Sequence, residues 1–235
     1  MQTAYYIILV PMVYAAFAVF LLGTTIRLVK LYLQPSPGTA PIYPNQRRGW
    51  LWAMHDTFLL PTVRKHNPGL WVLLMFFHVA FLLLIIGHLE LIKDFRVFQI
   101  VPHAVFLGRG VIGLILSIAL LLFLFRRFAS PNRDLSVPED YYLLILLFLV
   151  VCFGSQMDWA RSWFDYSEMA VSDYRTYLWS LLTLKPSLPT SVLFSGHSFM
   201  FILHVFFANI FLMFFPFSKI MHSFMALPMN KLRRG

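Results

Sequence analysis

Four histidines stand in long apolar runs at spacings that could support redox chemistry. One run, from about Leu70 to Ile92, carries His78 and, ten residues on, His88, which directly follows Gly87. Another, from about Val192 to Ile220, carries His204; His222 follows it at eighteen residues, with Pro216, Phe217, Ser218 and Lys219 between. Ionisable side chains inside apolar spans are rare and by default mark function. Imidazole is also a usual axial ligand of haem iron. In an uninterrupted α-helix eighteen residues make five turns, so His204 and His222 would share a face about 27 Å apart along the axis. Ten residues turn the other pair by about 80° and separate it by about 15 Å. If the two helices run antiparallel, His88 meets His204 and His78 meets His222, giving two bis-histidine sites with irons roughly 20 Å apart. The two rises differ by about 12 Å, which helix tilt and a bend at Pro216 must absorb.

These residues can be positioned only by membrane helices. Of 235 residues, 59% are hydrophobic and 12% charged, and the mean hydropathy is +0.72. A soluble domain carries roughly 25% charged residues. Five runs are long enough to cross about 30 Å of hydrocarbon as helices: residues 4–26, 70–92, 104–125, 141–157 and 192–220. Backbone groups in lipid must bond internally, so each run is expected to be α-helical. The fold class is therefore an all-α integral membrane protein, a single membrane domain over 1–235 built as a five-helix bundle. No Lys or Arg precedes the first run, so it is expected to remain as a span and not to act as a cleaved signal.

The net charge of +9 does not indicate nucleic acid, because the basic residues cluster at the ends of the apolar runs, where they set orientation and meet anionic headgroups. Arg27, Lys30, Arg47, Arg48, Arg64 and Lys65 lie in the first loop, Arg126, Arg127 and Arg133 in the third, and Lys231, Arg233 and Arg234 in the tail. By the positive-inside rule these segments face the cytoplasm, which puts the N-terminus outside and the C-terminus inside. The long loop 34–68 contains an apolar piece, Trp50 to Leu60, that fits an interfacial helix or a docking surface for a partner. In the fourth loop, Tyr174, Tyr177, Leu178, Trp179, Leu181 and Leu182 suggest an aromatic belt lying at the outer interface. With Cys152 as the single cysteine, the chain holds neither a disulfide framework nor a cysteine-ligated iron–sulfur cluster of its own.

The segment FHVAFLLLIIGH followed by HVFFANIFLMFFPFSKIMH resembles the haem-binding core of the respiratory nitrate reductase gamma subunit family. That family pairs a His-x9-His ending in Gly-His on its second span with a His-x17-His on its fifth, and has Pro-Phe-Ser/Thr-Lys/Arg shortly before the last histidine. It also includes the cytochrome b subunits of heterodisulfide-reductase-like complexes and of sulfate-reducer redox complexes. The long first loop here shifts weight toward those relatives. The resemblance implies two b-type haems, with His88 and His204 on the outer iron and His78 and His222 on the inner. It implies that menaquinol or ubiquinol is oxidised near the outer haem, with electrons passing to a cytoplasmic iron–sulfur subunit in the cytoplasmic membrane, or the reverse flow in some complexes. The family places a basic residue near Arg109, at its quinol site. Arg109 is thus a candidate for a quinone oxygen or a haem propionate, or else for snorkelling to headgroups.

Other polar residues have plainer explanations. His197 could compete as an outer ligand but fits an interfacial hydrogen bond. His103 and Glu90 could relay quinol protons but fit interfacial placement. His55 and His66 belong to the basic first loop. Lys219 is a candidate propionate partner on the inner side. A purely structural anchor is the main rival function. A histidine proton pathway is disfavoured, since none of the ten acidic residues lies in the middle of a span.

Overall fold

The computed structural model describes residues 2–33, 48–92, 110–164, 169–188, 190 and 198–234. Five helical stretches in it are long and apolar enough to cross a membrane: Thr3–Leu33, Pro68–Ile92, Val111–Phe128, Pro138–Arg161 and Phe199–Phe217. The first comprises α1 (Gln2–Leu9) and α2 (Pro11–Leu33). Pro11 has no N–H to give, but the ladder continues past it, with Val10 N donating to the Tyr6 carbonyl at 3.0 Å and Tyr14 N to that of Val10 at 3.2 Å.

Two shorter helices, α3 (Gly49–Leu59) and α4 (Pro61–His66), precede α5 (Pro68–Ile92). Asn67 caps α5 by accepting from Leu70 N at 2.9 Å, and Pro68 takes the first helical position, where a missing N–H costs nothing. Gly110, at φ +90°, adopts a left-handed conformation that a side chain would oppose. It opens α6 (Val111–Phe128), and its carbonyl accepts from Trp159 Nε1 at 2.9 Å. A short α7 (Asn132–Leu135) leads into α8 (Pro138–Phe164).

Helices α6 and α8 form an antiparallel pair. At one end Arg127 lies 3.5 Å from Asp140 and the Tyr141 hydroxyl donates to the Arg127 carbonyl at 2.9 Å. At the other end Gly113 packs on Ser155. Small residues let membrane helices approach closely where lipid offers no hydrophobic drive, so dispersion contacts carry the packing. The fourth loop forms α9 (Val171–Leu182), followed by α10 (Ser198–Phe214).

The fifth apolar run is not one continuous helix. After Phe214 come two 3₁₀ turns, Phe215–Phe217 and Lys219–Met221, and His222 opens α11 (His222–Arg234). Pro216 removes a donor from the ladder. Ser218 is extended, and its Oγ accepts from Ile220 N at 3.2 Å, which starts the next turn. The five-turn relation between His204 and His222 assumed an unbroken helix and so does not describe this segment.

Two compact units result, Met1–Phe17 with Phe76–Phe211, and Ala18–Met75 with Leu212–Gly235. The first unit has two apolar clusters. One joins Leu9, Val10 and Val13 to Met169, Tyr177, Leu181, Phe201 and Ile202. The other joins Ala80 of α5 to Leu116 and Leu120 of α6 and Val151 of α8. Tyr177 and Leu181 are thus core residues, whereas Trp179 and Leu182 on the same helix are exposed. Three polar side chains hydrogen-bond to backbone carbonyls across this unit. The Tyr177 hydroxyl donates to the Leu9 carbonyl at 2.6 Å, Tyr14 to that of Leu181 at 2.9 Å, and Asn209 Nδ2 to that of Ile8 at 3.1 Å. In the second unit α2 lies against the break in the fifth run: Phe20 meets Phe215 edge-on at 5.1 Å, and Gly23 abuts Pro216.

Candidate functional site

Two of the four histidines come together within the first unit. The His88 and His204 rings lie 6.1 Å apart, centroid to centroid, and are inclined by 30°. His88 Nδ1 is 2.8 Å from the Leu84 carbonyl one turn earlier on α5. His204 Nδ1 is 2.9 Å from the Val150 carbonyl of α8. A carbonyl only accepts, so in each ring Nδ1 carries a proton, and in the neutral form Nε2 keeps its lone pair. Two such rings cannot hydrogen-bond to each other through Nε2; a Lewis acid can be shared between them.

The separation agrees with that. Imidazole binds a first-row metal at roughly 2.0–2.1 Å, so two coordinated rings facing each other across one ion stand roughly 6.3 Å apart between centroids. A direct nitrogen-to-nitrogen hydrogen bond at about 2.9 Å would bring them roughly 1 Å closer. The second-nitrogen bond to a fixed acceptor is also what metal-ligating histidines commonly have, because it sets tautomer and ring orientation. The bond alone does not identify a ligand, since the exposed His66 makes it too, to the Thr62 carbonyl at 2.8 Å. What distinguishes His88 and His204 is the bond together with the facing ring inside apolar spans.

Gly154 gives His204 its room. A Cβ at position 154 would fall 2.8 Å from His204 Cε1 and 2.9 Å from Nδ1. Neither Gly154 nor the Val150 carbonyl was singled out from sequence. A glycine in an apolar run has many uses, and a backbone acceptor has no sequence signature at all.

The other two histidines belong to different units. His78, on α5 in the first, meets the Phe77 ring edge-on at 5.3 Å. His222, in the second, has Nδ1 3.0 Å from the Lys219 carbonyl. Lys219 occupies the 3₁₀ turn just before it and is exposed. Arg109, His103 and His197 lie outside the described residues. Glu90 is buried, and its carbonyl accepts from Arg175 at 3.4 Å. His55 is exposed beside Asp56, at 3.6 Å. A cleft of about 740 Å³ has Ile92, one turn beyond His88, in its wall, with Arg175, Trp179 and Lys185. No group of three or more His, Cys, Asp or Glu is gathered to hold a bare ion among the described residues. Axial ligation of a haem needs only two side chains, because the porphyrin supplies the remaining donors.

Five apolar helices and a close pair of imidazoles define a multi-pass helical membrane protein with a candidate metal-cofactor site. The nitrate reductase gamma subunit family matches residues 65–235, and the chain belongs to that family. A segment covering 68% of the chain is 28% identical over 173 residues to the Hdr-like menaquinol oxidoreductase cytochrome b-like subunit of Archaeoglobus fulgidus. The protein of the same name from Archaeoglobus profundus is 24% identical over 255 aligned positions, covering 89% of the chain. The matched segment spans 49% of the first relative and 73% of the second.

Proposed function

We propose that the chain is a di-haem cytochrome b subunit of a respiratory membrane complex, exchanging electrons between menaquinol and a cytoplasmic iron–sulfur partner. The observation that carries this reading is the His88–His204 pair, whose spacing and Nδ1 hydrogen bonds suit two side chains that would hold one iron. The family and the names of the two archaeal relatives support the haem and the quinone. When bound, a b-type haem supplies one-electron exchange at its iron.

The remaining work belongs to the protein. His88 and His204 hold the outer group, with the Leu84 and Val150 carbonyls fixing their rings. His78 and His222 hold the inner one, with the Lys219 carbonyl fixing His222. Arg109 and Lys219 are the cations assigned to propionates or, for Arg109, to a quinol oxygen. The cleft beside Ile92 supports an approach for quinol from the His88 end of α5. The orientation that accompanies this reading is N-terminus outside, C-terminus in the cytoplasm, within the cytoplasmic membrane.

The test is a dithionite-reduced minus oxidised spectrum of protein produced with ample haem. Two resolvable b-type components are expected, and His88→Ala and His204→Ala should abolish the same one. A structural anchor, the rival function, predicts no α-band in any of these proteins.

A further inference from the structure

The second unit carries an apolar and basic surface on α3 and α11. Helices α3 and α11 pack along each other, with Ala53 fully buried. Asn230 Nδ2 donates to Thr57 Oγ1 at 2.9 Å, and Lys231 Nζ lies 5.6 Å over the Trp50 ring. At 100° per residue, Phe224, Met225, Pro228, Met229 and Leu232 occupy an arc of about 140° on α11, away from Asn230. Met229 is 60% exposed and Leu232 72%. Lys231 and Arg233 flank that arc, each roughly 100° from its centre. On α3, Trp50, Leu51, Met54 and Phe58 fall within about 100° of one another, and all four are exposed.

This is the composition of a helix pair lying in a membrane–water interface, with an apolar face, tryptophan, and cations at the edges. Chain connectivity puts it there. Helix α11 opens five residues after Phe217, the last residue of a span, and α3 ends nine residues before Pro68, the first residue of another. The charge is one-sided. Arg48, Arg64, Lys65, Lys231 and Arg233 are exposed, and Asp56 is the sole acidic residue in 48–67 and 222–233.

We propose that α3 and α11 form an interfacial platform that binds anionic phospholipid, its apolar arcs in the acyl boundary and Lys231 and Arg233 on headgroup phosphates. The occupant is lipid and not a partner protein because the platform is joined within a few residues to two spans, and its cations flank an apolar arc. The inference does not depend on the histidines binding haem. Each cation near an anionic surface contributes roughly fivefold in affinity, so two contribute roughly 25-fold.

The experiment uses the full chain in nanodiscs of phosphatidylcholine with phosphatidylglycerol, in a Cys152→Ser background. Spin labels at Met229→Cys and Leu232→Cys should be relaxed more by oxygen, which partitions into lipid, than by a water-soluble nickel chelate. A label at Ser223→Cys, on the opposite side of α11, should show the reverse. Native mass spectrometry should show phosphatidylglycerol retained in preference to phosphatidylcholine, with K231Q/R233Q losing that preference by roughly 25-fold. Labels at 229 and 232 open to the nickel chelate would overturn the proposal, as would equal lipid retention by the charge variant. Shielding of both labels from oxygen and nickel in native membranes would also overturn it, since a partner protein would then cover the face.

Discussion

Gly154 of α8 lies against the imidazole of His204, so that a Cβ there would stand 2.8 Å from Cε1 and 2.9 Å from Nδ1. Contacts that short force a neighbour to move, and a ring tied by Nδ1 to the Val150 carbonyl at 2.9 Å cannot swing aside without losing that bond. Gly154→Ala should therefore tilt His204, and Gly154→Val should displace it, at a cost of about 1–3 kcal/mol for overpacking. The expected result is a shifted midpoint potential for one b-type component in Gly154→Ala. In Gly154→Val that component should be largely lost, with the other unchanged. Redox titration followed by absorbance checks it, and equal effects on both components would show that Gly154 serves the bundle and not the ring.

If His88 and His204 grip one iron, their losses cannot add. His88→Ala, His204→Ala and the double variant should each lack the same haem, with about one haem per chain remaining in all three by pyridine haemochrome assay. Independent packing roles would instead give stability losses that sum in the double variant and leave haem content alone. The pair His78 and His222 should behave the same way toward the other component.

Much of this architecture was legible in the sequence. The five apolar runs have the length and composition that lipid requires, and the histidine spacings single out the second and fifth. Other features were not, for identifiable reasons. The break over residues 215–221 was foreseen only as a bend at Pro216, because a proline announces a lost donor but not that Ser218 will cap a second turn. The wheel geometry of the fifth run assumed a continuous helix, which the two 3₁₀ turns interrupt. Tyr177 and Leu181 looked like an aromatic belt because composition gives polarity and size, not the side of a short helix that the N-terminal span covers.

The break is itself held in place from α2. A Cβ on Gly23 would come within 2.8 Å of the Pro216 Cβ and Cγ atoms, and Arg27 lies 5.9 Å over the Phe217 ring. Since the two 3₁₀ turns deliver His222, Gly23→Val should perturb the component assigned to His78 and His222 while sparing that of His88 and His204. Overpacking of this kind costs about 1–3 kcal/mol. The measurement is the reduced-minus-oxidised spectrum of Gly23→Val beside that of Gly154→Val. Opposite components should be affected in the two proteins, and loss of the same one in both would break the assignment.

The buried Tyr177 hydroxyl gives a pH signature outside the spans. Burial, followed by the charge of Tyr14, pushes its pKa above the ordinary 10.0, and the neutral group donates to the Leu9 carbonyl at 2.6 Å. The folded protein therefore holds this proton more tightly than the unfolded chain does. The resulting stability is fully present below pH 10 and is lost as pH rises from there toward the folded-state value. Tyr177→Phe should cost about 1–2 kcal/mol at neutral pH, because it leaves the Leu9 carbonyl without its donor. The difference between wild type and variant should then shrink as alkali ionises the unfolded chain's tyrosine. Unfolding of both proteins in detergent, followed at pH 8 and again above pH 10, measures it. A difference that stays constant across that range would mean that the Tyr177 proton plays no part in holding α9 to the N-terminal span.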